Sequence, residues 1–269
     1  EAGGLLAAGG LGAIISPPVL GAAAFLIAEF LKISYLDVIK MAAIPTCLYY
    51  LSLFLMVEID ARKYGMRLVD LQRGSSAWQL TRTQGFHFFS LISIVVFMLI
   101  GFSPLGAVFW ATLVAAVTSF FHRDCALIDL RLLRDRPRGW IAELLLRSKL
   151  VKALEGGSVS MLNVAATCAA AGLIVGVVTL TGLGLKFSAI VIAYAGGNLI
   201  LTAIYTALIV WVIGLAVPVT ASYIICAVIA APALITLGVP DFAAHMFIFY
   251  YAVLSEVSPP TALSPFAAA

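Results

Sequence analysis

Long apolar runs separated by a few short charged segments dominate the chain. Charge-free stretches extend from Ala2 to Ala28, Met41 to Val57, Thr83 to His122, Gly156 to Leu185, Phe187 to Pro240 and Val257 to Ala269. None alternates apolar and polar residues with the period of two of a barrel strand, so the runs predict helices. A helix needs about 20 apolar residues to cross the hydrocarbon core, and most of these runs hold one or two crossings. The expected fold is an all-α polytopic membrane protein.

Composition sharpens this reading. Hydrophobic residues make up 63% of the chain, charged residues 11%, and the mean hydropathy is +1.10. A soluble domain carries about 25% charged residues, so no water-soluble fold covers this much apolar surface. Small residues at Gly156-Gly157, Ala169-Ala170-Ala171-Gly172 and Gly196-Gly197 read as places where helix backbones approach closely. Cys47, Cys125, Cys168 and Cys226 are too widely spaced for a metal or redox motif and read as reduced packing residues. Both ends of the sequence read as truncated or processed boundaries, and no signal peptide is visible.

The charges orient the spans. Of 16 Lys and Arg, 13 fall in two segments, one holding Arg62, Lys63, Arg67, Arg73 and Arg82, the other running from Arg123 to Lys152. Basic loops stay on the cytoplasmic side, which places 59–82 and 122–155 inside. Residues 83–121 between them then form two transmembrane helices turning at Gly101-Phe102-Ser103-Pro104, an even number of crossings. A basic stretch also raises the possibility of nucleic acid. Asp60, Asp70, Asp124, Asp129 and Asp135 interleave with it and no aromatic platform accompanies it, so lipid headgroups are the expected contact.

Working outward, 36–58 crosses toward the cytoplasm and 1–32 crosses away from it. Residues 141–155 read as a short amphipathic connector at the interface, followed by an outward span at 157–181. Thr181-Gly182-Leu183-Gly184 turns the chain, and 185–196 reads as an external arm helix. Gly196-Gly197-Asn198 and Gly214-Leu215-Ala216-Val217-Pro218 then interrupt the longest run. Two full spans or one re-entrant hairpin at 198–237 fit that pattern. A hairpin is allowed where its non-helical tip is covered by protein or faces water.

Chemistry enters with a repeated tripeptide. Ser16-Pro17-Pro18 and Ser258-Pro259-Pro260 each fall mid-way along an apolar segment, 1–32 and 241–269, and a small-residue stretch follows each. Two successive prolines remove two backbone donors and force the preceding residue out of the α region, so the helix breaks there. Unpaired backbone groups in lipid cost several kcal/mol each. Something polar must meet them: neighbouring helices in a structural kink, or a coupling ion and an anionic substrate in a transporter. Two copies crossing in opposite directions favour the second reading, an inverted repeat with its site near the midplane. Glu256, two residues before Ser258, is an intramembrane carboxylate suited to binding a cation, carrying a proton or pairing with an arginine. Glu29 reads as interfacial, and His245, Tyr250 and Tyr251 as packing residues.

Three stretches together carry a family likeness. The run from Ser16 to Phe30, the run from Gly176 to Phe187 and the tail from His245 through Ser258-Pro259-Pro260 resemble fused permeases of tripartite ATP-independent periplasmic (TRAP) transporters of the TAXI type. The resemblance covers most of the chain and is weakest over 59–140. It implies an inverted-repeat, elevator-type transporter with a re-entrant hairpin and discontinuous helices, Na⁺ as coupling ion, no other cofactor, and an extracytoplasmic TAXI-type solute-binding protein. It also places a first hairpin and small-subunit helices upstream of Glu1, so this chain by itself is not expected to transport. The tip has Ala216 where the family commonly has a further glycine.

The expected function is Na⁺-coupled uptake of a small organic anion. By the resemblance, the ion positions are Ile14, Ile15 and Ser16 at one break and Gly214, Val217, Glu256 and Ser258 at the tip and the other break. Pro18, Thr220, Pro260 and Thr261 are the substrate positions. No Walker pattern for nucleotide hydrolysis is present. The rival is an intramembrane enzyme acting on lipid or peptide through Asp124, Asp129 and Asp135, although His87 and His122 lack a nucleophile partner.

Overall fold

A computed structural model describes residues 2–18, 20–65, 78–79, 81, 85–119, 149–259 and 265, and all regular elements among them are helices. The chain divides into two units, residues 1–66 with 165–269 and residues 67–164.

In the first unit, α1 (Ala2–Ile15) and α2 (Gly21–Leu31) flank the first Ser-Pro-Pro. The interruption follows from the prolines, and Gly21 restarts the helix at φ +65°, which a side chain would oppose. Leu31 is followed by Lys32 in the left-handed region. Paired bonds from Ile33 N–H to the Ala28 carbonyl (3.1 Å) and from Lys32 N–H to that of Glu29 (3.3 Å) close this end. Ser34 then caps α3 (Tyr35–Lys63), its hydroxyl accepting from the Leu36 N–H at 3.3 Å. Asp37 in the first turn and Arg62 and Lys63 in the last suit the helix dipole.

The second unit contains α4 (Phe88–Leu99) and α5 (Pro104–Thr118), joined by a tight turn with Gly101 at φ 102°. Ser103 caps α5, accepting from the Gly106 N–H at 3.2 Å, and Pro104 occupies the first turn, where a missing N–H is harmless. The division between the units falls inside α6 (Lys149–Thr181).

The continuity of α6 corrects one expectation. Residues 149–155 are its first turns, and the helix runs through Gly156-Gly157 without interruption; 141–148 lie outside the described residues. Glycine lowers helix propensity by about 1 kcal/mol but keeps its N–H, so two glycines weaken a helix that two prolines would break. Nor are all the small-residue sites close approaches. A methyl at Gly156, Gly157 or Gly172 would meet nothing within 4 Å among the described residues, whereas Gly196 and Gly197 have φ 60° and 70° and make a turn.

After Gly182 (φ 66°) come α7 (Leu183–Tyr194), α8 (Leu199–Gly214), α9 (Val219–Ile229), α10 (Ala231–Thr236) and α11 (Asp241–Val253). Asn198 caps α8 by accepting from the Leu201 N–H at 3.1 Å. At about 1.5 Å per residue, the 16 residues of α8 fall short of a bilayer's roughly 30 Å of hydrocarbon. The chain then turns at 215–218 and returns through α9 and α10. α7 covers the joint between α9 and α10. Ser188 Oγ donates to the Ile229 carbonyl at 3.1 Å, and a methyl on Gly184 would lie only 2.9 Å from the Val228 oxygen.

Within the first unit the closest packing joins α8, α9 and α11, with α2 against α9 and α11. Ala23, Ala24 and Ile27 of α2 are buried, as are Tyr223 and Cys226 of α9 and Ile248, Phe249 and Ala252 of α11, the two helices that α2 packs on. In lipid, such contacts hold by close approach and dispersion rather than by removing apolar area from water. The outer faces stay apolar and open, as at Leu173 (74% exposed) and Leu180 (89%).

Candidate functional site

The first break is supported by α3. Pro17 and Pro18 have no N–H, so the carbonyls of Ala13 and Ile14 lose their i+4 donors. The next carbonyl, that of Ile15, accepts from Thr46 Oγ1 at 2.6 Å; that of Ser16 accepts from the Leu20 N–H at 3.2 Å; and that of Pro18 accepts from the Tyr35 hydroxyl at 3.1 Å. Ser16 Oγ donates back to the Gly12 carbonyl and lies 3.1 Å from Tyr50 Oη. The Tyr49 hydroxyl donates to the Ala8 carbonyl at 2.6 Å, further down α1. Ile15 is buried; Ile14, Ser16 and Pro18 are half-buried.

The second break meets the hairpin tip. After α11 a 3₁₀ turn covers Leu254–Glu256, and Pro259 and Pro260 occupy the i+4 positions of Ser255 and Glu256. These two residues therefore correspond to Ala13 and Ile14 of the first repeat. Gly214, the last residue of α8, packs on this turn: a methyl there would lie 3.2 Å from Ser255 Cβ, 3.4 Å from Ser222 Oγ and 3.9 Å from the Ala252 carbonyl oxygen. Trp211, one turn earlier on α8, donates its indole N–H to Ser258 Oγ at 3.0 Å. Val217 lies in the tip, Thr220 is in the first turn of α9, and both are half-buried, as are Glu256 and Ser258. Pro260 and Thr261 lie outside the described residues.

Buried hydroxyls collect around this junction. Ser222 and Ser255 are 0% and 2% exposed, and among the described residues the Ser222 hydroxyl has no hydrogen-bond partner beyond the weakly bonding Cys226 thiol, one turn along α9. The hydroxyls of Thr206 on α8 and Tyr250 on α11 are buried without a hydrogen-bond partner among the described residues. His245 Nδ1 and Tyr223 Oη pair at 2.8 Å, with the Phe30 ring against both, which is the packing role expected of His245. A cavity of about 580 Å³ separates the first half of α1 from the chain beyond the second break, lined by Gly3, Gly4, Ala7, Leu11, Val257 and Pro265 among others.

Sequence reasoning missed Tyr35, Thr46 and Tyr50 at the first break and Trp211, Ser222 and Ser255 at the second. The three on α3 are spaced by 11 and then 4 residues, about three turns and one turn, so they share a face, and that period was the available signal. Among the described residues no group of three His, Cys, Asp or Glu is placed to hold a metal ion. Asp124, Asp129, Asp135 and His122 lie outside the described residues.

A tripartite ATP-independent periplasmic transporter, DctM component, is the family whose pattern matches this chain, over residues 1–269. The chain belongs to that family. No curated protein and no solved structure matches it. As a DctM component it is a multi-pass permease of the inner membrane and part of a secondary transporter, which removes the intramembrane-enzyme reading. Membership also implies a periplasmic solute-binding protein and a small membrane subunit as partners.

Proposed function

We propose that this DctM component couples Na⁺ entry to uptake of a small organic anion released by a TAXI-type binding protein. Its two discontinuous helices form an inverted pair that moves as an elevator. The contact between Gly214 and Ser255 carries the reading. A hairpin tip pressed on a helix break gathers carbonyls and hydroxyls from two elements at one point, and oxygen ligands of that kind suit a hard monovalent cation. Cation ligands in this proposal are the backbone oxygens around Gly214, Val217 and Glu256 with Ser258 at one break, and those around Ile14, Ile15 and Ser16 at the other. Thr220, Thr261, Pro18 and Pro260 face the substrate. Half-helix N-termini at α2 and α9 favour a negative group.

The test is uptake by proteoliposomes containing the full transporter, with the ligand first found by a thermal-shift screen on the cognate binding protein. An inward Na⁺ gradient should drive accumulation that neither a K⁺ gradient nor a pH gradient supports. Accumulation driven by the pH gradient in Na⁺-free buffer would overturn Na⁺ coupling. A cationic ligand in the screen would overturn the substrate class.

A further inference from the structure

We infer that α3 splints the first break, with Thr46 and Tyr35 as the positioning residues that fix its carbonyls for a cation; this rests on the proposed reading of the break as a cation site. The two carbonyls deprived of donors by Pro17 and Pro18 belong to Ala13 and Ile14. Hydroxyls from one helix hold the chain on either side of them. Thr46 Oγ1 takes the Ile15 carbonyl, at the end of α1, at 2.6 Å. Tyr35 Oη takes the Pro18 carbonyl, on the α2 side, at 3.1 Å.

Both positioning groups are rigid and dry. Tyr35 is 2% exposed and Thr46 8%, so water does not compete for their bonds. The Tyr35 ring is stacked on Phe25 of α2, with centroids 4.3 Å apart and planes 7° from parallel. This ties the hydroxyl to the half-helix whose leading carbonyl it holds. Ser16 has committed its one proton to the Gly12 carbonyl, so in the 3.1 Å pair with Tyr50 the tyrosine donates. A third α3 hydroxyl thereby fixes the Ser16 side chain. Without the splint, the break has no internal ladder to keep Ala13 and Ile14 in one orientation.

The structure supplies its own control. Tyr49 makes the same kind of bond from the same helix, to the Ala8 carbonyl at 2.6 Å, but Ala8 lies inside α1 with its i+4 donor, Gly12, intact. Loss of the Tyr49 bond should weaken packing and leave the break geometry alone.

The experiment is an Na⁺ titration of thermal unfolding of the full transporter with its small subunit, in detergent, with choline keeping ionic strength constant. Na⁺ itself is the probe. Thr46→Val and Tyr35→Phe should each raise the Na⁺ concentration for half-maximal stabilisation on the order of fivefold, the worth of one net hydrogen bond. Thr46→Ser should restore the wild-type midpoint. Tyr49→Phe should lower the Na⁺-free melting temperature and leave the midpoint unmoved. Tyr35→Phe keeps the ring and its stacking, so it reports even where Thr46→Val fails to fold. Equal midpoint shifts from Tyr35→Phe and Tyr49→Phe, or unmoved midpoints for Tyr35→Phe and Thr46→Val, would overturn the splint alone. A wild-type protein stabilised by Na⁺ no better than by choline overturns the cation reading, and the splint with it.

Discussion

Gly214 and Ser255 meet backbone to side chain: a methyl placed on Gly214 would lie 3.2 Å from Ser255 Cβ. The hairpin tip and the second discontinuous helix are thus joined where a side chain has almost no room. The neighbour on the other side is Ser222 Oγ at 3.4 Å, and both serines are buried. A larger residue at Gly214 therefore requires Ser255 or the end of α8 to give way by a few tenths of an ångström.

Gly214→Ala should lower the melting temperature of the full transporter, at a cost of about 1–3 kcal/mol for overpacking. It should also raise the Na⁺ concentration needed for half-maximal uptake. Gly172→Ala is the comparison, because a methyl there meets nothing within 4 Å among the described residues and gains up to about 1 kcal/mol of helix propensity. The two variants should move the melting temperature in opposite directions. Equal small effects from both would mean that the tip is not held against Ser255.

A second close approach, between Gly12 and Tyr50, gives a more local prediction. A methyl at Gly12 would fall 2.8 Å from Tyr50 Cζ, but Tyr50 is 45% exposed and its ring can swing outward. Gly12→Ala should then cost about one hydrogen bond, roughly 1 kcal/mol, by displacing Tyr50 from Ser16. Tyr50→Phe should cost a similar amount alone and nearly nothing when added to Gly12→Ala. A double-mutant cycle on unfolding in mixed micelles measures this, and full additivity would show that the ring stays in place.

The helix breaks were legible because their cause is local: a proline withdraws a donor wherever it stands. The turn between α8 and α9 was legible for the same reason, bracketed by Gly214 and Pro218. The groups that support the first break were not. Thr46 and Tyr35 bond carbonyls 31 and 17 residues away in sequence, and a hydroxyl on an apolar helix looks the same whether it bonds its own backbone or another helix. The connector at 141–155 was set apart from the span at 157–181 by its charges, which say nothing of where a helix ends when no backbone donor is lost. Charge argues for putting the basic segments 59–82 and 122–155 on one side, a matter that helix packing does not address.

Membrane sidedness is open to direct measurement. Single cysteines at Arg67 and Arg136 should react with an impermeant maleimide only from the cytoplasmic face, because basic segments stay inside. Leu185 is the external position of choice: it is 72% exposed, whereas its neighbour Gly184 is buried against the Val228 carbonyl. A cysteine at Leu185 should be labelled only from the periplasm. Labelling of positions 67 and 136 from opposite faces would reverse one Ser-Pro-Pro segment and dissolve the inverted pair.

The second break offers the sharpest test of coupling, because its chemistry lies in missing donors. Combining Ser258→Ala with Pro259→Ala restores an N–H at the i+4 position of Ser255 and removes the hydroxyl that accepts from Trp211. A rebuilt helical bond would draw the Ser255 carbonyl back into the ladder and away from an ion. The double variant should need several-fold more Na⁺ for half-maximal uptake while the binding protein's affinity for its solute stays unchanged. Glu256→Gln keeps the shape of the adjoining residue and removes its charge. A shift in the Na⁺ or pH dependence of uptake assigns that carboxyl to coupling, whereas loss of folded protein with unaltered dependence in the remainder assigns it to a structural pair. If the double variant and Glu256→Gln both transport with wild-type Na⁺ and pH dependence, the cation does not bind at this break. The contact between Gly214 and Ser255 would then be a packing joint of the hairpin, and the ion would have to be sought at the first break, where α3 holds the carbonyls.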